Sequence, residues 1–171
     1  PLTTGFGFTE LIVKATPLIL IGVGLSVGFR ANVWNIGAEG QFTMGAIAGG
    51  GTALFLNTQE SFLVLPAVLL MGILGGIVWG MIPAFLKTKF NANEILTSLM
   101  LSYVALLILS YLVHGPWRDP GGYNFPESKI FSDFAMLPIL LEGTRLNLGT
   151  GFAVLSVLII YILLSLSLIH I

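Results

Sequence analysis

The stretch FLVLPAVLLMGILGGIVWGMIPAFL, residues 62–86, contains no acidic, basic or histidine side chain. A bilayer's hydrocarbon core is about 30 Å thick and takes roughly 20 apolar helical residues to cross. This segment is long enough to span it. The rest of the chain agrees: 7 Lys and Arg and 8 Asp and Glu occur among 171 residues, so 9% is charged and 56% hydrophobic. An ordinary soluble domain is about 25% charged. A mean hydropathy of +0.97 points the same way. Soluble enzyme, nucleic-acid binder and disordered chain are excluded. A net charge of −1 signals no anionic partner, and the lack of cysteine removes disulfides, iron–sulfur clusters and thiolate metal sites.

Measured outward from that segment, the chain holds five expected spans: residues 11–29, 38–56, 62–86, 95–113 and 149–169. The expected fold is therefore all-α, a polytopic transmembrane helical bundle with residues 1–171 forming one incomplete membrane domain. Pro1 in place of Met and the apolar close at Ile171 lead us to expect a piece cut at both ends from a longer chain. The first apolar stretch is long and followed by others, unlike a secretory signal. Residues 114–147 hold four prolines, a Gly121–Gly122 pair and four acidic residues. This is the chemistry of an extramembrane loop, with a short helix expected near 131–137 and with Trp117, Tyr123 and Phe125 suited to headgroup level. Arg30, Lys87 and Lys89 lie in the turns on one side and no basic residue lies in the turn at 57–61. The positive-inside rule puts those three in the cytoplasm and the long loop outside.

Glycines spaced by four, Gly24/Gly28, Gly45/Gly49, Gly72/Gly76 and Gly76/Gly80, are expected to let helix backbones approach closely; flexible backbone beside a pathway is the lesser alternative. Catalytic signatures are weak. Gly24-Leu-Ser26-Val-Gly28 has the letters of a nucleophile elbow but sits inside an apolar helix, where Ser26 reaches a carbonyl one turn back. His114 and His170 are 56 positions apart and form no ligand set. No phosphate-binding Gly-rich loop is present, so any ATP must be hydrolysed on another subunit.

Two polar clusters remain. The first contains Asn32, Asn35, Glu39 and Gln41 between the first two spans, with Gly37 and Gly40 around Glu39. It is either a capped interfacial turn with Glu39 in water or a bent segment with opened backbone lining a pathway. The second contains Lys87, Lys89, Asn91, Asn93 and Glu94. Asn93 is a natural N-cap and Glu94 suits the first helical turn, so capping accounts for both.

Asn32-Val-Trp34-Asn35-Ile-Gly37-Ala-Glu39-Gly40-Gln41, after Ala15-Thr-Pro17-Leu-Ile-Leu20, resembles the inner-membrane permeases of bacterial ATP-binding-cassette importers. The resemblance is to the simple-sugar and nucleoside branch of the group that also serves branched-chain amino acids. Asn93-Glu94-Ile-Leu-Thr-Ser98-Leu-Met-Leu-Ser102-Tyr103, Gly115-Pro116-Trp117-Arg118-Asp119-Pro120 and Leu137-Pro138 follow in the same order. It implies a multi-pass subunit of the bacterial inner membrane, no enzyme itself, that moves a nucleoside or simple sugar by alternating access. Its implied partners are cytoplasmic ATPase subunits carrying ATP, a second permease subunit, identical or homologous, and an extracytoplasmic solute-binding lipoprotein. The family's coupling segment, with its Gly-x-Asn-x-x-Ala-Ala pattern, has no match here, and the close at Ser165–Ile171 fits the family poorly. The candidate pathway residues are Asn32, Asn35, Glu39 and Gln41, with Asn91, Asn93 and Glu94 shaping a helix entrance beside them. The alternative class is an ion-coupled transporter or channel. The uncharged third, fourth and fifth spans count against it.

Overall fold

The computed structural model describes residues 5–123 and 125–166. It is an all-helical membrane bundle of α1 (Gly5–Arg30), α2 (Ala38–Phe55), α3 (Val64–Phe90), α4 (Glu94–His114) and α5 (Leu148–Leu166), with a 3₁₀ turn at Asp133–Ala135. Among the described residues the only β pairing is two isolated bridges. Helices α1, α3, α4 and α5 are long and apolar enough to cross a membrane. Leu70, Ile73, Leu107 and Tyr161 are among the many large side chains they leave exposed. In lipid that arrangement is favourable, because the helix satisfies its own backbone and the apolar surface meets acyl chains.

The second expected span is a helix, but of another kind. α2 is 18 residues long, begins with Glu39 and Gln41 in its first turn, and is otherwise rich in Gly, Ala and Thr. It falls short of the apolarity of the other four, and it buries Gly40, Thr43, Gly49 and Ala53. Its neighbours are α3 and α4. Small side chains here serve protein contact. Elsewhere the helices outrun the hydropathy boundaries: α1 starts at Gly5 and α3 runs through Lys87 and Lys89 to Phe90. Hydropathy marks membrane depth, whereas the hydrogen-bond ladder continues into the polar zone. The expected last turn of the fifth span, residues 167–169, and His170 lie outside the described residues.

The chain divides into two compact units, one running up to Val33 and resuming at Leu137, the other from Trp34 to Met136. In the first, α1 meets α5. The Thr16 and Thr150 hydroxyls are 3.1 Å apart, and Arg145 Nη1 lies 3.8 Å from Glu10 Oε2. Ahead of α5 a small hairpin pairs Ile139 with Asn147, and the Leu140 N–H donates to the Leu146 carbonyl at 2.8 Å. The second unit contains α2, α3, α4 and a separate hairpin pairing Arg118 with Ser128. The expected single loop is therefore two local structures, and the helix expected at 131–137 shrinks to Asp133–Ala135 because Pro138 and the extended Met136 stop it.

Glycine sets the α2–α3 crossing. A Cβ on Gly45 would stand 2.9 Å from the Gly72 carbonyl oxygen, and one on Gly49 would stand 3.2 Å from that of Val68. Gly75, outside the four-residue spacing, is tighter still: its Cβ would fall 2.5 Å from the Ala48 Cβ. The close-approach expectation holds for this pair of helices. Among the described residues it finds no partner at Gly24, which has nothing within 4 Å, or at Gly28, which would meet the Val33 carbonyl alone. Spacing gives a helix the capacity for close approach without supplying its partner.

Two further glycines of α2 support loop aromatics. A Cβ on Gly51 would lie 3.1 Å from the Trp117 ring, and one on Gly50 would lie 3.5 Å from Phe131. Trp117 thus packs on α2 instead of standing out with Tyr123 and Phe125, which are exposed. Gly51→Val should push the indole aside, shift part of the tryptophan emission to the red and cost about 1–3 kcal/mol of stability. An unchanged emission spectrum would place the ring elsewhere.

Candidate functional site

In the first unit, Asn32 ends α1. It adopts φ 57°, and its N–H donates to Phe29 while that of Val33 donates to Gly28 at 2.9 Å. This is a left-handed helix stop, a conformation that Asn tolerates better than most residues with a Cβ. The side chain is exposed.

In the second unit the run from Asn35 to Gln41 forms a joint. Asn35 Oδ1 accepts from the Gly37 N–H at 2.9 Å, and its Nδ2 donates to Gln41 Oε1 at 3.2 Å. A Cβ on Gly37 would stand 2.7 Å from the Ser98 Cβ, and one on Gly40 would stand 2.7 Å from the Ser102 Cα. Gln41 lies over α3: its Nε2 is 2.9 Å from the Cβ position of Gly80. Positions 37, 40 and 41 share one helical face by their three- and four-residue spacing. Glu39 therefore points the other way, exposed along with Phe42 and Ala46, and makes no hydrogen bond or ion pair among the described residues. Of the two readings of this run, the opened backbone is not the one found around Glu39. The Gln41 N–H donates to the Gly37 carbonyl at 3.1 Å and α2 is helical from Ala38. Gly37 and Gly40 supply close contact with α4 rather than flexibility.

The α3–α4 corner is built from caps. Asn91 closes α3 in the left-handed region, φ 52°, its N–H donating to the Lys87 carbonyl at 3.0 Å. Asn93 opens α4: its Oδ1 accepts from the N–H groups of Ile95 at 2.9 Å and Leu96 at 3.3 Å. Glu94 pairs with Lys87 across the corner. Asn93→Ala should cost about 1 kcal/mol through the lost cap, read as a lower melting temperature of the purified protein, with Asn93→Asp retaining most of it.

Ser98, Ser102 and Thr43 are buried polar residues, the two serines lying in a stretch that carries the resemblance but given no role by it. Ser98 Oγ donates to the Ile95 carbonyl and Ser102 Oγ to that of Ser98, both at 3.2 Å, so each is satisfied on its own helix. Their signal was a line of small residues, Ser98, Ser102 and Ala105, on one face of α4. Ser26 donates to the Val23 carbonyl at 2.7 Å within α1, as a helical serine does. Among the described residues no group of three or more His, Asp or Glu is placed to hold a metal ion.

The fold and this joint define a multi-pass membrane protein whose polar motif residues sit at helix ends and whose α2 meets α3 and α4 through glycine. The chain belongs to the family of branched-chain amino acid transport system permease components, whose profile matches residues 7–169. It is 45% identical over 139 residues to a glucose ABC transporter permease of Haloferax volcanii, covering 81% of this chain and 36% of that protein. It is 31% identical over 162 residues to a guanosine ABC transporter permease of Bacillus subtilis, covering 91% and 45%. A nucleoside ABC transporter permease of Lactococcus lactis is 26% identical over 163 residues, again covering 91% and 45%. The chain thus spans less than half the length of these relatives. No solved structure matches it.

Proposed function

We propose that the chain is part of the translocation subunit of an ATP-driven importer for a nucleoside or simple sugar. The observation that carries this is the Asn35–Gln41 joint, part of the run that resembles the importer permeases and the meeting point of three helices, taken with relatives named as glucose and guanosine permeases. ATP binds and is hydrolysed on separate cytoplasmic subunits, a second permease subunit completes the pathway, and an extracytoplasmic lipoprotein delivers the solute. Arg30, Lys87 and Lys89 face the cytoplasm across the inner membrane, and the two hairpins face outward.

In this reading the glycine contacts hold α2, α3 and α4 as one rigid piece, which rocks as a body during alternating access. Glu39 presents a carboxylate from the outward face of that piece, and Asn35 and Gln41 brace the turn that aims it. Asn32 sets where α1 stops, and Asn91, Asn93 and Glu94 fix the corner that carries α4.

The test is uptake by the intact-length gene product, assembled in liposomes with its ATPase and binding protein. Labelled guanosine and D-glucose are followed with and without ATP. ATP-dependent uptake of either is the expected result. Uptake that survives ATP depletion but collapses with an ion gradient would replace the importer with an ion-coupled carrier.

A further inference from the structure

A surface cavity of about 610 Å³ lies within the second unit, in the size range of small-molecule sites. One wall is the turn between α2 and α3, with Asn57, Thr58, Gln59 and Glu60. The other is Phe131, Ser132, Asp133 and Phe134. The side chains of Asn57, Thr58, Gln59, Glu60 and Asp133 make no hydrogen bond among the described residues, and Ser132 Oγ is buried without a protein partner there. Phe131 is held by its packing over Gly50, while Phe134 is 42% exposed.

The lining also says what is refused. Two carboxylates and no basic side chain face the space. A phosphate, or the carboxylate of a zwitterionic amino acid, would meet like charge with no cation to offset it. A neutral ring bearing several hydroxyls meets acceptors in Glu60, Asp133 and the amides, and a phenyl face in Phe134 for its apolar side.

We propose that this cavity is a binding site for a neutral polyhydroxylated ring, a sugar or the ribose-bearing nucleoside, and that it rejects anionic and zwitterionic solutes. As the solute class of an importer, this rests on the function proposed above; as a binding site, it stands alone. The test uses the intact-length permease in nanodiscs without its ATPase, with saturation-transfer NMR reading D-glucose, guanosine, L-leucine and guanosine monophosphate. Saturable binding of glucose or guanosine is expected, with none for leucine or the monophosphate. Phe134→Ala should weaken it roughly two- to tenfold, and Glu60→Gln should weaken it while admitting the monophosphate. Both positions are exposed, so the variants keep the wild-type melting temperature. No binding of either neutral probe, equal binding of leucine, or binding unaltered in both variants would overturn the proposal. Uptake by the assembled importer separates the two failures. ATP-driven uptake with wild-type behaviour in both variants removes the cavity and leaves the importer. Intact binding with no ATP-driven uptake of any probe removes the importer and leaves the cavity.

Discussion

Gly40→Ala should destabilise the membrane-inserted protein by about 1–3 kcal/mol, and Gly40→Leu should prevent the second unit from assembling. The added Cβ would lie 2.7 Å from the Ser102 Cα and 3.1 Å from its backbone nitrogen, so the obstacle is main chain and cannot rotate away. Relief requires α2 and α4 to separate, which in lipid forfeits the close packing that holds small-residue interfaces together. Gly80→Ala provides the contrast: its nearest neighbour is the end of the Gln41 side chain at 2.9 Å, which can turn aside. Thermal unfolding in detergent, together with yield in the membrane fraction, measures both. Equal losses for the two variants would mean that the α2–α4 contact is not the tight one.

The contrast between Gly40 and Asn93 shows what could be read without coordinates. Asn93 was legible as a cap because its partners, Ile95 and Leu96, are the next residues along, so local chemistry determines the contact. Gly40 was legible only as a glycine in a polar run. Its partner Ser102 is far along the chain, and nothing local distinguishes a glycine that opens a helix from one that admits another helix. The four-residue spacing found Gly45, Gly49, Gly72 and Gly76 but missed Gly75, whose contact arises from the crossing of the two helices. The same spacing at Gly24 and Gly28 meets no neighbouring helix among the described residues of its unit. Membrane spans were legible because lipid imposes a single length and polarity rule on each, and α2 departed from that rule because its surroundings are protein. Residues 114–147 were legible as loop but not as two hairpins, since backbone bonds such as Asp119 to Glu127 and Leu140 to Leu146 leave no composition signal.

Glu39→Ala should lower ATP-driven uptake by about tenfold or more, equivalent to roughly 1.4 kcal/mol on the transport barrier, while leaving insertion intact and costing stability only the helix-dipole interaction, about 0.3–1 kcal/mol. The stability half follows from its surroundings: Glu39 is exposed and lacks a hydrogen-bond or ion-pair partner among the described residues, so its removal leaves no buried group unpaired. The transport half follows from its placement. A carboxylate at the start of α2 is favoured by the helix dipole, yet the close contacts of this first turn are made by Gly37, Gly40 and Gln41 on the opposite face. An acidic side chain aimed away from a joint built to hold it is suited to meet a solute or a partner subunit. Glu39→Gln separates those roles, since the amide still accepts hydrogen bonds but carries no charge. Uptake retained in Glu39→Gln and lost in Glu39→Ala assigns hydrogen bonding to a neutral solute, whereas loss in both assigns a charge contact. Wild-type uptake in Glu39→Ala would remove Glu39 from the pathway and leave the Asn35–Gln41 run as packing alone.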